Sequence, residues 1–410
     1  MSIPRLLQAA LGHHQSGRLH QAEALYRQIL QVDPNHPDAL HFLGIAAQQA
    51  GQWQIAFNLI GRSIEVSPAN PVFYANLGNA FWEVGKLQGA EVSFQKALAL
   101  RSDCAEAHNG LGLIRQHQGK LQEACICYQK ALSLQPDYVK ACVNLGIVSQ
   151  AQGELGKAEA CYDKALSLEP DSAAAHNNLG AVQKLQGKLE EAESSFRKAL
   201  SLAPHRADIL NNLGAALSEQ RKFDEAIDCY RKALHLEPNR ADIHNNLGGD
   251  LQRQGKPEEA EACFNQAISR QPDFAQAYNN LGSVLEAQGR TKAAAAAFLK
   301  ALSLDPHFTQ ACSNLIFLHA YAHDAPVELQ CALARKWEIV ALTEQERLAG
   351  RSGTFTRLPR QGRRLKIGVL SAELGQHAVA EFLEPLLQQF DRTRVHITLY
   401  STASHSGPRA

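Results

Sequence analysis

Asparagine recurs at one position of this 410-residue chain, at spacings of 34 residues or twice that: Asn76, Asn144, Asn178, Asn212, Asn246, Asn280 and Asn314. Phe42 and Gly110 hold the same position in two other periods. A primary amide carries two N–H donors and a carbonyl acceptor, so a row of them can hydrogen-bond an extended peptide backbone whatever its side chains. Each net bond is worth about 0.5–1.5 kcal/mol, so a handful gives modest affinity once ordering costs are subtracted. The competing expectation is that these amides cap or bridge adjacent helices. Asn is a poor helix former, so its return at seven positions calls for some role. A second column one residue earlier, Asn109, Asn177, Asn211, Asn245 and Asn279, divides between binding and a helix–helix polar contact.

Other chemistry-bearing residues point less far. Cys125 and Cys127 lie about 200° apart around a helix and do not converge on one metal. Cys127, Cys161, Cys229 and Cys263 share one slot of the period and are expected as small packing residues. His108, His176 and His244 share another slot and are expected at packing or edge positions. No metal ligand set and no cofactor are expected within this chain.

The elements that must position the amides follow from the period itself. Proline returns at Pro34, Pro68, Pro136, Pro170, Pro204, Pro238, Pro272 and Pro306, and Leu-Gly at eight places from Leu43-Gly44 to Leu281-Gly282. Ala22 opens a column of alanines that runs to Ala294, and an aromatic follows four residues later in most periods, as at Tyr128, Phe196 and Phe264. Within 173–206, apolar residues fall at helical spacing in two segments, separated by a glycine turn at Gly187. Pro204 ends the second helix, and Asp137, Asp171, Asn239 and Asp273 are expected to cap the next one. Gly180 and Ala192 are expected where the paired helices cross, and a larger residue there should cost about 1–3 kcal/mol through overpacking.

This pattern resembles the tetratricopeptide repeat, a helix-turn-helix unit. The resemblance implies an all-α, right-handed superhelix with a long groove, in which the Asn column faces the inner surface. Nine repeats are counted over 3–308. A partial tenth, with Ile316 in the glycine slot, and a capping helix from Val327 to about Leu348 around Trp337 fill 309–349.

Composition bounds the rest. Forty-one basic residues balance 41 acidic ones, which argues against nucleic acid as a partner. No run of some 18 apolar residues appears, so no membrane partner is expected. The opening MSIPRLLQAALGHHQSG is too weakly apolar for a secretory signal. Nine cysteines without a framework spacing suggest a reducing compartment, hence a cytoplasmic protein. The oligomeric state is open.

After about Ala349 the period ends. Residues 350–364 are Gly- and Arg-rich and read as a linker. LKIGVLS (365–371) and VHITLY (395–400) read as buried strands around an apolar-periodic helix, 379–390, interrupted by Pro385. This strand-helix-strand order is half of a Rossmann-like layer. An array running into it resembles the protein O-linked N-acetylglucosamine transferases and their SPINDLY-like relatives. Ser371, Glu373, Leu374 and His377 match that family's S-x-D-F-x-x-H pattern, with Glu for Asp and Leu for Phe; Phe382, Leu383 and Pro385 fit its next helix. The resemblance implies transfer of sugar from UDP-GlcNAc to Ser or Thr of proteins, with His377 as the candidate catalytic residue. Residues 365–410 then form only the first part of a glycosyltransferase domain, and the chain alone is expected to be inactive. The alternative is a non-catalytic adaptor that gathers partner proteins.

Overall fold

The computed structural model describes residues 2–321, 365–371 and 395–401. The chain divides into two units, Met1–Ala341 and Leu342–Ala410. The described part of the first is nineteen helices, from α1 (Ile3–Gln15) and α2 (Leu19–Val32) to α18 (Thr291–Leu304) and α19 (Thr309–Tyr321). Odd-numbered helices begin every 34 residues and are the first of each pair; even-numbered ones are the second. The fold is an all-α right-handed superhelix of such pairs.

A left-handed residue closes each pair. Gly187, at φ 77°, lets the chain leave α11 (Ala173–Leu185) and enter α12 (Leu189–Leu202) within three residues. The same slot holds glycine in seven other pairs, but Arg221 at φ 63° between α13 (Ala207–Glu219) and α14 (Phe223–Leu236). Side chains are costly in that region, so Arg221 is a departure the fold must offset.

Packing explains the Gly and aromatic columns together. A Cβ built on Gly180 would lie 2.8 Å from Phe196 Cε1, and one on Gly214 would lie 2.6 Å from Tyr230 Cε1. The small residue of the first helix is therefore the seat for the ring of the second. Phe196 also joins the core of the next pair through Ala207 and Leu210. The aromatics are buried, which makes them the largest apolar contribution of the units that carry them; the second unit has buried Ile60 in that slot.

Capping departs from the sequence expectation. Asp137, Asp171, Asn239 and Asp273 sit one residue before the N-caps, which are Tyr138, Ser172, Arg240 and Phe274. Ser172, not Asp171, receives a backbone N–H, from Ala175 at 3.4 Å. These three acids and the one amide stand in the turn that joins one unit to the next.

Curvature follows from which helices meet. Neighbouring first helices approach one another directly, as α13 with α15 (Ala241–Arg253) and α15 with α17 (Ala275–Ala287); neighbouring second helices do not. First helices therefore line the inner face and second helices the outer one.

In the other unit, β1 (Leu365–Ser371) and β2 (Val395–Ser401) pair in parallel, Leu365 opposite Val395 and Ser371 opposite Ser401. The expected capping helix with Trp337, the linker 350–364 and the helix 379–390 lie outside the described residues. So do Glu373, Leu374 and His377.

Candidate ligand-binding groove

The two Asn columns meet across every regular junction. Asn144 Nδ2 donates to Asn109 Oδ1 at 3.0 Å, Asn212 to Asn177 at 3.0 Å, and Asn246 to Asn211 at 3.0 Å. Asn280 donates to Asn245 at 2.9 Å and Asn314 to Asn279 at 3.0 Å. Each pair spans 35 residues, because the donor lies one unit on and one position later. Bridging of neighbouring helices is thus part of what these amides do. It does not exhaust them: among the described residues, the carbonyl oxygens of Asn144, Asn212 and Asn246 accept no bond from the chain. Asn280 and Asn314 receive Gln276 and Gln310 on theirs, at 3.4 and 3.0 Å. All seven first-column residues are half-buried, so their side chains are held at the surface of the inner face rather than sealed within it.

Four junctions vary the rule, the first of them with Phe42 in place of the amide. Asn76 donates to His41 Nε2 at 2.9 Å, His41 standing where Asn109 stands two units on. Burial pushes the His41 imidazole down to about 4, so it is neutral and can accept. Phe73 packs against it with ring centres 4.4 Å apart. Asn178 faces Val143, which offers no acceptor, and no rung forms there among the described residues. Gly110 and Ala75 dispense with both amides; a Cβ on Gly110 would overlap the Phe94 ring, which fills the gap.

The inner face opens into a groove of about 660 Å³ between α13, α15 and α17. Asn246 and Asn280 line it, with Asn245 of the second column. So do Lys184 and Glu219, paired at 3.1 Å, and Asp250 and Arg253, paired at 2.7 Å. Ser218 Oγ donates to Asp250 Oδ1 at 2.6 Å. Tyr230 forms part of the floor, its phenol raised by burial and by the Asp250 charge.

The remaining candidates have structural posts. His108, His176 and His244 each place Nε2 on a backbone carbonyl six residues back, at Ser102, Pro170 and Pro238, and so fasten the turn between units. Cys127, Cys161, Cys229 and Cys263 are free thiols, raised by burial. Among the described residues no cluster of His, Cys, Asp or Glu could hold a metal ion, and no helix is long and apolar enough to cross a membrane. Sequence reasoning missed Asp250, Arg221 and His41. Asp250 and Arg221 were detectable as the odd residues in their slots of the period, whereas the His41 slot also holds Ala75 and Val143.

The fold and this groove define a helical-repeat scaffold suited to protein–protein interaction. Residues 13–75 and 72–104 match tetratricopeptide repeat models, and residues 104–314 match the model of the cilia and flagella-associated protein 70 C-terminal domain. The chain belongs to the tetratricopeptide-repeat family that these models describe, the last of them included. None of the three extends past residue 314. The chain is similar to the crystal structure of the APC/C hetero-tetramer Cut9-Hcn1, with TM-score 0.55 and 21% identity over 65% of this chain and 52% of that one. It spans about half the length of that structure, and the likeness shows the fold. It is also similar to yeast Tom70 (TM-score 0.47, 14% identity, 85% of this chain and 94% of that one). A third similar structure is Pseudomonas aeruginosa PilF (TM-score 0.45, 23% identity, 51% of this chain and 95% of that one). No curated protein matches the chain.

Proposed function

We propose that the array is a protein-binding adaptor that holds extended peptide along its inner face. The observation that carries this reading is the row of first-column amides whose N–H groups are tied to the preceding unit. That tie fixes the carbonyl oxygens of Asn144, Asn212 and Asn246 in place before any ligand arrives, and pre-organised acceptors bind at lower entropic cost. The spacing also suits an extended chain. Packed helices lie about 8–10 Å apart, close to three residues of extended peptide at about 3.3 Å each. Every third backbone N–H can then meet one amide. The free thiols fit a reducing, cytoplasmic setting.

The test is fluorescence anisotropy of the full chain with a pool of extended peptides of mixed sequence. Changing Asn178, Asn212 and Asn246 together to Ala is expected to weaken binding about tenfold, two or three bonds at about 0.5 kcal/mol each. Asn178→Ala alone removes no rung, so its loss of affinity carries no stability change. Unchanged affinity in the triple variant sinks the reading.

A second reading rests on residues 365–401. Parallel pairing of β1 and β2 needs a crossover connection, as the first strands of the sugar-transferase layer would. In that case the array presents protein substrates to an O-GlcNAc transferase-like domain, with His377 in its ligand-side loop. Mass spectrometry of the peptide pool with UDP-GlcNAc tests this chain itself, and no transfer is expected. Turnover would make this reading the leading one.

A further inference from the structure

Four departures from the period converge on one place. The slot of Asp250 holds Ile114, Val148, Val182, Ala216 and Val284 in other units, all buried. Asp250 is as buried as they are, at 1% exposure, and a carboxylate is costly to bury without partners. One oxygen is well supplied: Oδ1 accepts Ser218 Oγ at 2.6 Å and Arg253 Nη1 at 2.7 Å. The other, Oδ2, is buried and has no partner. Ser218 is the second departure, a short side chain where Gln116, Gln150 and Gln252 stand elsewhere. The third is Gly249, whose slot holds Leu113 and Ile147 in two units and the small Ala181, Ala215 and Ser283 in the nearest ones. A Cβ there would meet nothing within 4 Å, so its absence leaves the groove open. The fourth, Arg221, holds the left-handed turn that glycine holds in the other pairs, and lines the adjoining hollow with Ser218, Glu219 and Arg253.

Other units place a buried apolar residue in the Asp250 slot, and among the described residues this junction is where a carboxylate stands there instead. Strained backbone and unsatisfied buried groups together mark places kept for a ligand. We propose that this groove recognises a basic side chain, Lys or Arg, of the peptide it holds; the inference rests on the peptide-binding reading above. The chemistry is complementary. Asp250 Oδ2 can only accept, Asn246 Oδ1 beside it is free to accept, and an ammonium or guanidinium can only donate. Lys184 is already neutralised by Glu219 at 3.1 Å, so it does not repel the newcomer. Arg253 covers the carboxylate from a side chain that is 59% exposed. It therefore acts as a built-in substitute that can move into solvent when the ligand's own cation arrives.

The test uses the full chain and three fluorescent peptides, identical except for a central Arg, citrulline or Glu. The Arg peptide is expected to bind at least tenfold more tightly than the citrulline peptide, and the Glu peptide least. Gly249→Leu blocks the groove with a residue its slot already accepts, and Asp250→Val restores the apolar residue of Val182 and Val284. Both should bring the Arg peptide to the citrulline level with the helical signal intact. Arg253→Gln removes the competitor and should tighten Arg binding severalfold. Equal binding of the Arg and citrulline peptides overturns the inference while leaving the groove a peptide site. Arg preference that survives both blocking variants overturns it too. Failure of all three peptides to bind overturns the inference together with the reading it rests on.

Discussion

Junctions near the N-terminus are filled by rings, whereas those from α13 to α19 are tied by amides. Phe42 takes the first-column position beside Tyr26, their rings stacked at 6.0 Å, and Phe94 fills the space left by Gly110. Between α13 and α19 the column is unbroken: three successive rungs join Asn246, Asn280 and Asn314 to the preceding units, at 2.9–3.0 Å. The backbone period is the same in both regions. It fixes where a side chain stands and leaves open which chemistry closes the gap. A ring-filled junction gains from buried area and offers nothing to a polar ligand. An amide-tied junction gains less per contact and, as at Asn246, can leave a carbonyl oxygen without a partner among the described residues.

The sharpest way to probe this contrast is acid. His41 is buried in the ring-filled region, and its folded-state pKa of about 4 lies below the unfolded value near 6.5. The unfolded chain then binds more protons in that window, so stability falls as pH drops from about 6.5 to about 4. The loss is about 3 kcal/mol for a group this buried. His41→Asn puts the second-column amide in its place and should abolish that acid loss, read by urea denaturation at pH 7 and pH 4.5. An unchanged pH dependence would mean that His41 is not the sensor.

A somewhat smaller effect is expected from forcing the amide column into the ring-filled region. Gly110→Asn must displace the buried Phe94 ring and finds only Ala75 opposite, so it should destabilise by about 2–3 kcal/mol. A neutral result would show that the ring has room to move. Smallest is the loss of a single rung. Asn212→Ala should cost about 1 kcal/mol, whereas Asn178→Ala, which faces Val143, should cost nothing measurable. Equal costs would deny the rungs any part in stability.

Most of the architecture was legible because the period is enforced by sterics. Gly214 must be small against Tyr230, and Gly187 must take a positive φ, so both columns are written openly in the sequence. The Asn column was legible as a row, but its pairing was not. A bond between Asn246 and Asn211 depends on how far one unit is rotated on the next, which no spacing within a unit reveals. Capping by Asp171 failed for a related reason: the helix begins one residue later than the acidic residue suggests, and Ser172 takes the role. Asp250 escaped because the eye follows what repeats, while the polar pocket is written in what does not.

Among the described helices, contacts run between adjacent helix pairs, and each rung joins residues 35 apart. Length is therefore a quantised property of this molecule. Excising residues 139–172 would remove Val143 and carry Asn178 onto Asn109, so the shortened chain would heal its seam with a rung that the intact one lacks there. A cut of 33 or 35 residues would instead turn every later helix about 100° out of phase. Such an array can gain or lose reach by recombination, but only in whole units of 34 residues.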